Sequence, residues 1–180
     1  ITDSFPKKVE IHYELPLLNL PNLFKTEIDS IPNTVPYLKA ESEIIDKWAK
    51  KLKSDKFKIG ICWQGSKKKI DRGRSFPLKL FEEISKLNGI ELICLYKGED
   101  ENQILSIDFD LTTLGNDFDN GNDSFIDTAA VMMNCDLIIT SDTVIAHLAG
   151  ALGCPVWVAL KYIPDWRWML NRKDSPWYPT

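Results

Sequence analysis

The feature that most restricts the fold is an alternation that begins at Phe57. FKIGICW, IELICLY, DLIIT and PVWVAL are short runs, apolar nearly throughout, and the stretches between them place their apolar residues at helical spacing. The helical stretches are PLKLFEEISKLN, then SFIDTAAVMMNC, then TVIAHLAGAL. Gly153 suits a helix C-cap and Pro155 a strand start. A weaker strand is read at FDLTTL, after a short helix near Glu99 to Leu105. Strands apolar on both faces must be covered on both faces, and strands joined through helices run parallel. The pattern predicts an α/β chain built on a doubly wound, mainly parallel sheet.

Ahead of that alternation the chain reads differently. Residues 1–40 hold Pro6, Pro16, Pro21, Pro32 and Pro36, too many for a helix or a central strand, and are expected to be a connector. Residues 41–180 are expected to be the domain. Within it, Glu41 to Lys53 sets Ile44, Ile45, Trp48 and Leu52 on one helical face, which would cover an edge of the strand-and-helix region. A length of 180 residues allows one core and not two full-sized domains. The start at Ile1, directly in a proline-punctuated segment, suggests a fragment.

Composition removes several function classes. Against 26 acidic residues stand 22 basic ones, a net charge of -4 that argues against a general nucleic-acid binder and leaves room for a small anionic ligand. Cys62, Cys94, Cys135 and Cys154 show no paired spacing and share the chain with two histidines, so they read as buried apolar side chains; no metal, no cofactor and no oxidising compartment is expected. No apolar run approaches the roughly 18 residues of a membrane span, and ITDSFPKKVEIHY is unlike a signal peptide, so a cytoplasmic location is expected. Lys67 to Lys69 read as a solvated loop.

In sheets of this class, ligands bind beyond the carboxyl ends of the strands. There, ITSDTVIAHLAG sets Ser141, Asp142 and Thr143 at a helix start. Free amides and the positive dipole end attract phosphate, and Thr143 is the first choice for a contact, with Ser141 beside it. Asp142 suits an N-cap better than a phosphate contact, and taken alone Ser141 and Asp142 read first as plain helix caps. His147 lies one turn after Thr143 on the same face. In WQGSKKKIDRGRSFP, Gly65 permits close backbone approach, Ser66 comes directly after it, and Arg72 or Arg74 offers a planar fork for phosphate, though two loop arginines are commonly surface residues. Neither the dinucleotide glycine fingerprint nor a P-loop is present, which counts against a dehydrogenase and a P-loop nucleotidase. YKGEDEN offers Lys97 and Glu99, and TLGNDFD offers Gly115 and Asn116; these fit nucleoside contacts, or a solvated acidic turn and ordinary turn chemistry. The tail KYIPDWRWMLNRKDSPWYP concentrates Trp166, Trp168 and Trp177, read chiefly as a seam against another domain, with Arg167 a further phosphate candidate.

Taken together, ITSDTVIAHLAGALGCPVWVAL and IPDWRWMLNRKDSPWYP, with DRGRSFP and YKGEDEN upstream, resemble the C-terminal half of heptosyltransferase-like GT-B glycosyltransferases. The likeness is greatest to bacterial proteins in which such a domain follows tetratricopeptide repeats, and it runs from about Tyr13 to the end. PLLNLP and IPNTVPYL resemble the crossover from the N-terminal domain. The resemblance implies a Rossmann-like domain for a nucleoside-diphosphate sugar, needing no metal. Ser66, Arg74, Thr143 and His147 would lie at the diphosphate, and Lys97 and Glu99 at the nucleoside. Val144 stands where many heptosyltransferases have glycine, so the resemblance does not extend to ADP-heptose as donor. The catalytic base of the family belongs to the N-terminal, acceptor-binding domain, so no catalytic residue is expected in this chain. The competing expectation is a non-catalytic module that keeps the fold and holds a partner through its tryptophans.

Overall fold

The computed structural model describes residues 12–65, 73–98, 102–121 and 124–180. Ser66, Arg72 and Glu99, and the run Lys67 to Lys69, lie outside the described residues.

The chain divides into two units, Ile1–Pro32 and Asn33–Thr180. In the first, prolines hold the backbone to single turns. A 3-10 turn at Leu17–Asn19 runs into the four-residue helix α1 (Leu20–Leu23), whose first turn takes Pro21. A second 3-10 turn lies at Ile28–Ser30, where the Glu27 amide donates to Ser30 Oγ at 2.8 Å.

The second unit opens with helix α2 (Ser42–Lys51). Strand β1 (Phe57–Cys62) comes next, then a 3-10 turn at Leu78–Phe81 continuing into α3 (Glu82–Ser85), and strand β2 (Ile90–Cys94). The chain continues through α4 (Asn102–Leu105), α5 (Ile126–Met132), strand β3 (Leu137–Ser141), α6 (Val144–Leu152) and strand β4 (Val156–Ala159). The strands form one all-parallel sheet in the order β2-β1-β3-β4, with Ile59 paired to Leu92 on one side and to Leu137 on the other. The doubly wound parallel fold expected from the apolar runs is the one observed.

Alternation within the strands sends side chains into two layers. On one face α2, α5 and α6 pack over Cys62, Ile93 and Ile138, with Trp48, Met132, Ile145 and Ala149 buried between. On the other, Leu78, Phe81 and α3 cover Ile59, Ile61, Trp63, Leu92 and Cys94. The amphipathic α2 therefore contributes to the main core and is more than an edge cover: Trp48 Nε1 donates to Asp127 Oδ1 at 2.6 Å, and Asn134 Nδ2 donates to the Ile45 carbonyl at 3.1 Å. Burial pushes the Asp127 carboxyl upward, but the Trp48 and Asp119 hydrogen bonds and Lys47 outweigh it and hold the group below its usual range.

Several elements are shorter than their periodicity predicts, each for a local reason. The helix read over 77–88 is a 3-10 turn plus α3, because Ser85 Oγ donates back to the Glu82 carbonyl at 2.7 Å and competes with the helical ladder. The weaker strand at FDLTTL shrinks to one bridge, Thr112 with Ile93, before the left-handed Gly115 turns the chain away. Among the described residues no helix is long and apolar enough to cross a membrane.

Candidate functional site

The carboxyl ends of β1 and β3 lie side by side, and the loops leaving them meet. After β1, the chain returns so that the Phe76 amide donates to the Trp63 carbonyl at 3.0 Å and the Gly65 amide to Ser75 Oγ at 3.2 Å. This return carries Arg74 across the sheet end, where Nη1 donates to the Asp142 carbonyl at 3.2 Å. A Cβ on Gly65 would stand 3.3 Å from Thr143 Cγ2 and 3.4 Å from Arg74 Nη2. Gly65, Arg74, Asp142 and Thr143 are thus one constellation.

At the start of α6 the capping residue is Thr143 and not Asp142, a correction to the sequence expectation. Thr143 is extended, and its Oγ1 accepts the Ile145 amide at 3.3 Å and lies 3.3 Å from Thr140 Oγ1. Asp142 leaves its carboxylate out of the cap and offers its carbonyl to Arg74. Ser141 is fully buried as the last residue of β3. Beneath them, burial pushes the Cys62 thiol up to about 11, so it stays protonated and fills space. The arrangement sets a guanidinium beside the amide end of a nine-residue helix, two features that attract an anion.

The other candidates fall into two further corners. Lys97 Nζ donates to the carbonyls of Phe118 and, at 2.5 Å, of Asp119, so it fastens the end of β2 to the turn that displays the exposed Asn116. His147 faces the C-terminal tail: its Nδ1 lies 3.0 Å from Tyr178 Oη and its ring stacks on Trp168 with centroids 5.2 Å apart. Burial holds His147 below its usual pKa, and Asp142 and Asp165 oppose that while Arg167 adds to it. A Cβ on Gly150, one turn along α6, would collide with the Tyr178 ring, so glycine there is what lets the tail lie against the helix. Arg167 pairs with Asp165 at 2.5 Å and sits 5.1 Å from the Trp166 ring, while Trp177 Nε1 donates to the Arg167 carbonyl. Trp168 and Trp177 are therefore engaged within the tail and on α6, not held out as a seam; Trp166 remains exposed.

Sequence reasoning missed Gln64, Asp119 and Tyr178. Gln64 is 4% exposed, and its Oε1 accepts from Gln103 Nε2 at 2.9 Å. Asp119 accepts from the Asp127 amide at 2.9 Å and from the Thr128 hydroxyl, capping α5 from outside the helix. Its place seven residues ahead of α5 carries no motif; only the turn at TLGNDFD hinted at it.

No family model matches the chain. It is 28% identical over 173 residues to Protein FlbA of Caulobacter vibrioides, covering 89% of this chain and 27% of that protein. The fold is shared with a glycosyltransferase family 9 crystal structure from Veillonella parvula, at a TM-score of 0.53 and 14% identity over 72% of this chain and 38% of that one. Two E. coli structures also align. ADP-heptose LPS heptosyltransferase II does so at a TM-score of 0.48 and 17% identity, covering 72% of this chain and 41% of its own. Heptosyltransferase WaaC with ADP-2-deoxy-2-fluoro heptose does so at 0.49 and 16%, covering 77% and 43%. The chain spans less than half the length of each of these relatives.

Proposed function

We propose that this chain binds the nucleoside-diphosphate sugar of a glycosyl transfer, with the diphosphate against the N-terminus of α6 and Arg74. The observation that carries the reading is the convergence of Gly65, Arg74 and the Thr143-capped helix start at the carboxyl ends of two central parallel strands. The fold shared with a family 9 glycosyltransferase agrees with it. By the sequence resemblance Ser66 is assigned to the diphosphate and Glu99, with Lys97 and Asn116, to the nucleoside; Ser141, Asp142, Arg72 and Arg167 are further candidates for the diphosphate. His147 supports the site from the tail side of α6.

In an inverting transfer, a base takes the proton of the acceptor hydroxyl, whose oxygen attacks the anomeric carbon as the bond to the diphosphate breaks. The leaving group then carries the departing electron pair, and a guanidinium with a helix dipole stabilises that charge without a metal. This chain supplies the second part. The base, the acceptor site and any tetratricopeptide repeats belong to a further domain, so the isolated chain binds donor and does not turn it over.

The test is titration calorimetry of the chain with UDP, ADP and GDP. Saturable binding is expected for at least one, and Arg74→Ala should weaken it by about tenfold to a hundredfold, the worth of a charged hydrogen bond. If all three nucleotides fail to bind, the reading is lost. A second reading, a partner-holding module, draws on the exposed Trp157, Tyr162, Ile163 and Trp166 at and beyond β4. It would gain if nucleotides fail to bind while the chain retains its fold.

A further inference from the structure

Three polar groups at the carboxyl ends of β1 and β3 are shut from solvent and have no hydrogen-bond partner among the described residues: Trp63 Nε1, Gln64 Nε2 and Ser141 Oγ. Buried donors are nearly always paired, so each unpaired one asks for an explanation. Trp63 belongs to the apolar layer under α3, and the Ser141 hydroxyl can rotate. Gln64 is different because its orientation is set. Gln103 must turn its Oε1 to the Leu78 amide at 2.8 Å, which leaves its Nε2 to meet Gln64 and obliges Gln64 to answer with Oε1. Gln64 Nε2 is thereby fixed on the opposite edge of the amide, with two hydrogens and no acceptor. The next residue, Gly65, is where the β1 loop closes on Thr143 and Arg74.

We infer that Gln64 is a further ligand-binding residue of this site, its Nε2 donating to an oxygen of the bound diphosphate. The inference rests on the nucleotide-sugar reading above. A neutral amide adds a directed donor beside the guanidinium and helix amides, and a fold that leaves such a donor unmet when empty gains the full bond on binding.

The experiment is calorimetry of the whole chain with UDP, ADP and GDP, comparing Gln64→Met, Gln64→Glu and Gln103→Leu, with the melting temperature of each free protein measured alongside. Gln64→Met keeps the volume and deletes the donor; affinity for whichever nucleotide binds should fall about tenfold or more. Gln64→Glu keeps the bond to Gln103 but faces phosphate with a carboxylate, so its loss should be larger. Gln103→Leu breaks the amide pair from the other side and should cost less binding than either. Should Gln64→Met fail to fold, Gln64→Asn, which draws the amide back by one methylene, is expected to show the same loss. Unchanged affinity in the Gln64 variants overturns the inference and leaves the nucleotide reading intact. Equal losses in Gln64→Met and Gln103→Leu reduce Gln64 to a packing role and overturn it as well. No binding by the unaltered chain overturns both.

Discussion

His147 shows how strongly a side chain's setting depends on neighbours distant in sequence. It shares the helix face of Thr143, yet Trp168 covers its ring and Tyr178 takes its Nδ1. Its pKa lies below the ordinary 6.5, chiefly through burial, so the unfolded chain takes up the proton first. The stability this group contributes is complete above pH 6.5 and is lost as the pH falls below that value and through the lowered pKa of the folded state. Melting temperature followed from about pH 8 to about pH 5 should decline in the unaltered chain and decline less in His147→Gln. At this scale the sequence was partly legible. The hydroxyl-rich turn points to Thr143 as a phosphate contact, but it assigns the cap to Asp142, one residue early. Thr143 takes the cap with extended backbone, while the Asp142 carbonyl accepts from Arg74, which arrives from a distant loop that no local reading includes.

At the scale of elements, the best-tied joint is the start of α5. Asp119 accepts from the amides of Asp127 and Thr128 and from the Thr128 hydroxyl, while its own amide donates to Asp127 Oδ2 at 3.0 Å. Asp119 itself adopts φ +46, a conformation that aspartate tolerates better than most residues. Asp119→Ala should lower the unfolding free energy by about 1–2 kcal/mol through the lost cap, and by more if the left-handed backbone adds strain. Asp119→Gly removes the cap without the strain, so chemical denaturation of the pair separates the two contributions. The strands were legible because they are apolar almost throughout, and α6 because Gly153 closes it in the left-handed region. The read helix over 124–135 overshoots at both ends: Phe125 is left-handed at the start, and Asn134 bonds back to the Ala130 carbonyl after Met132. Periodicity carries no signal for either device.

Across the whole molecule, what periodicity could not supply was the order of the strands, and that order has its own consequence. The two middle strands, β1 and β3, are not neighbours in sequence: Lys58 and Asp136, which exchange backbone and side-chain bonds where the strands enter the sheet, lie 78 residues apart. The sheet cannot grow outward from a local hairpin; its centre exists only after a long loop has closed, an entropic cost met before any central pairing rewards it. The centre should then open last and only with the whole domain. Hydrogen–deuterium exchange should be slowest at Ile59 to Ile61 and Ile138 to Thr140, with the helical turns of Leu17 to Leu23 exchanging first. An order reversed from this, with the middle strands exchanging early, would mean that the domain opens through its centre. The same long-range pairing sets Gly65 against Thr143, so that contact is expected to depend on the whole domain being folded and not on either loop alone.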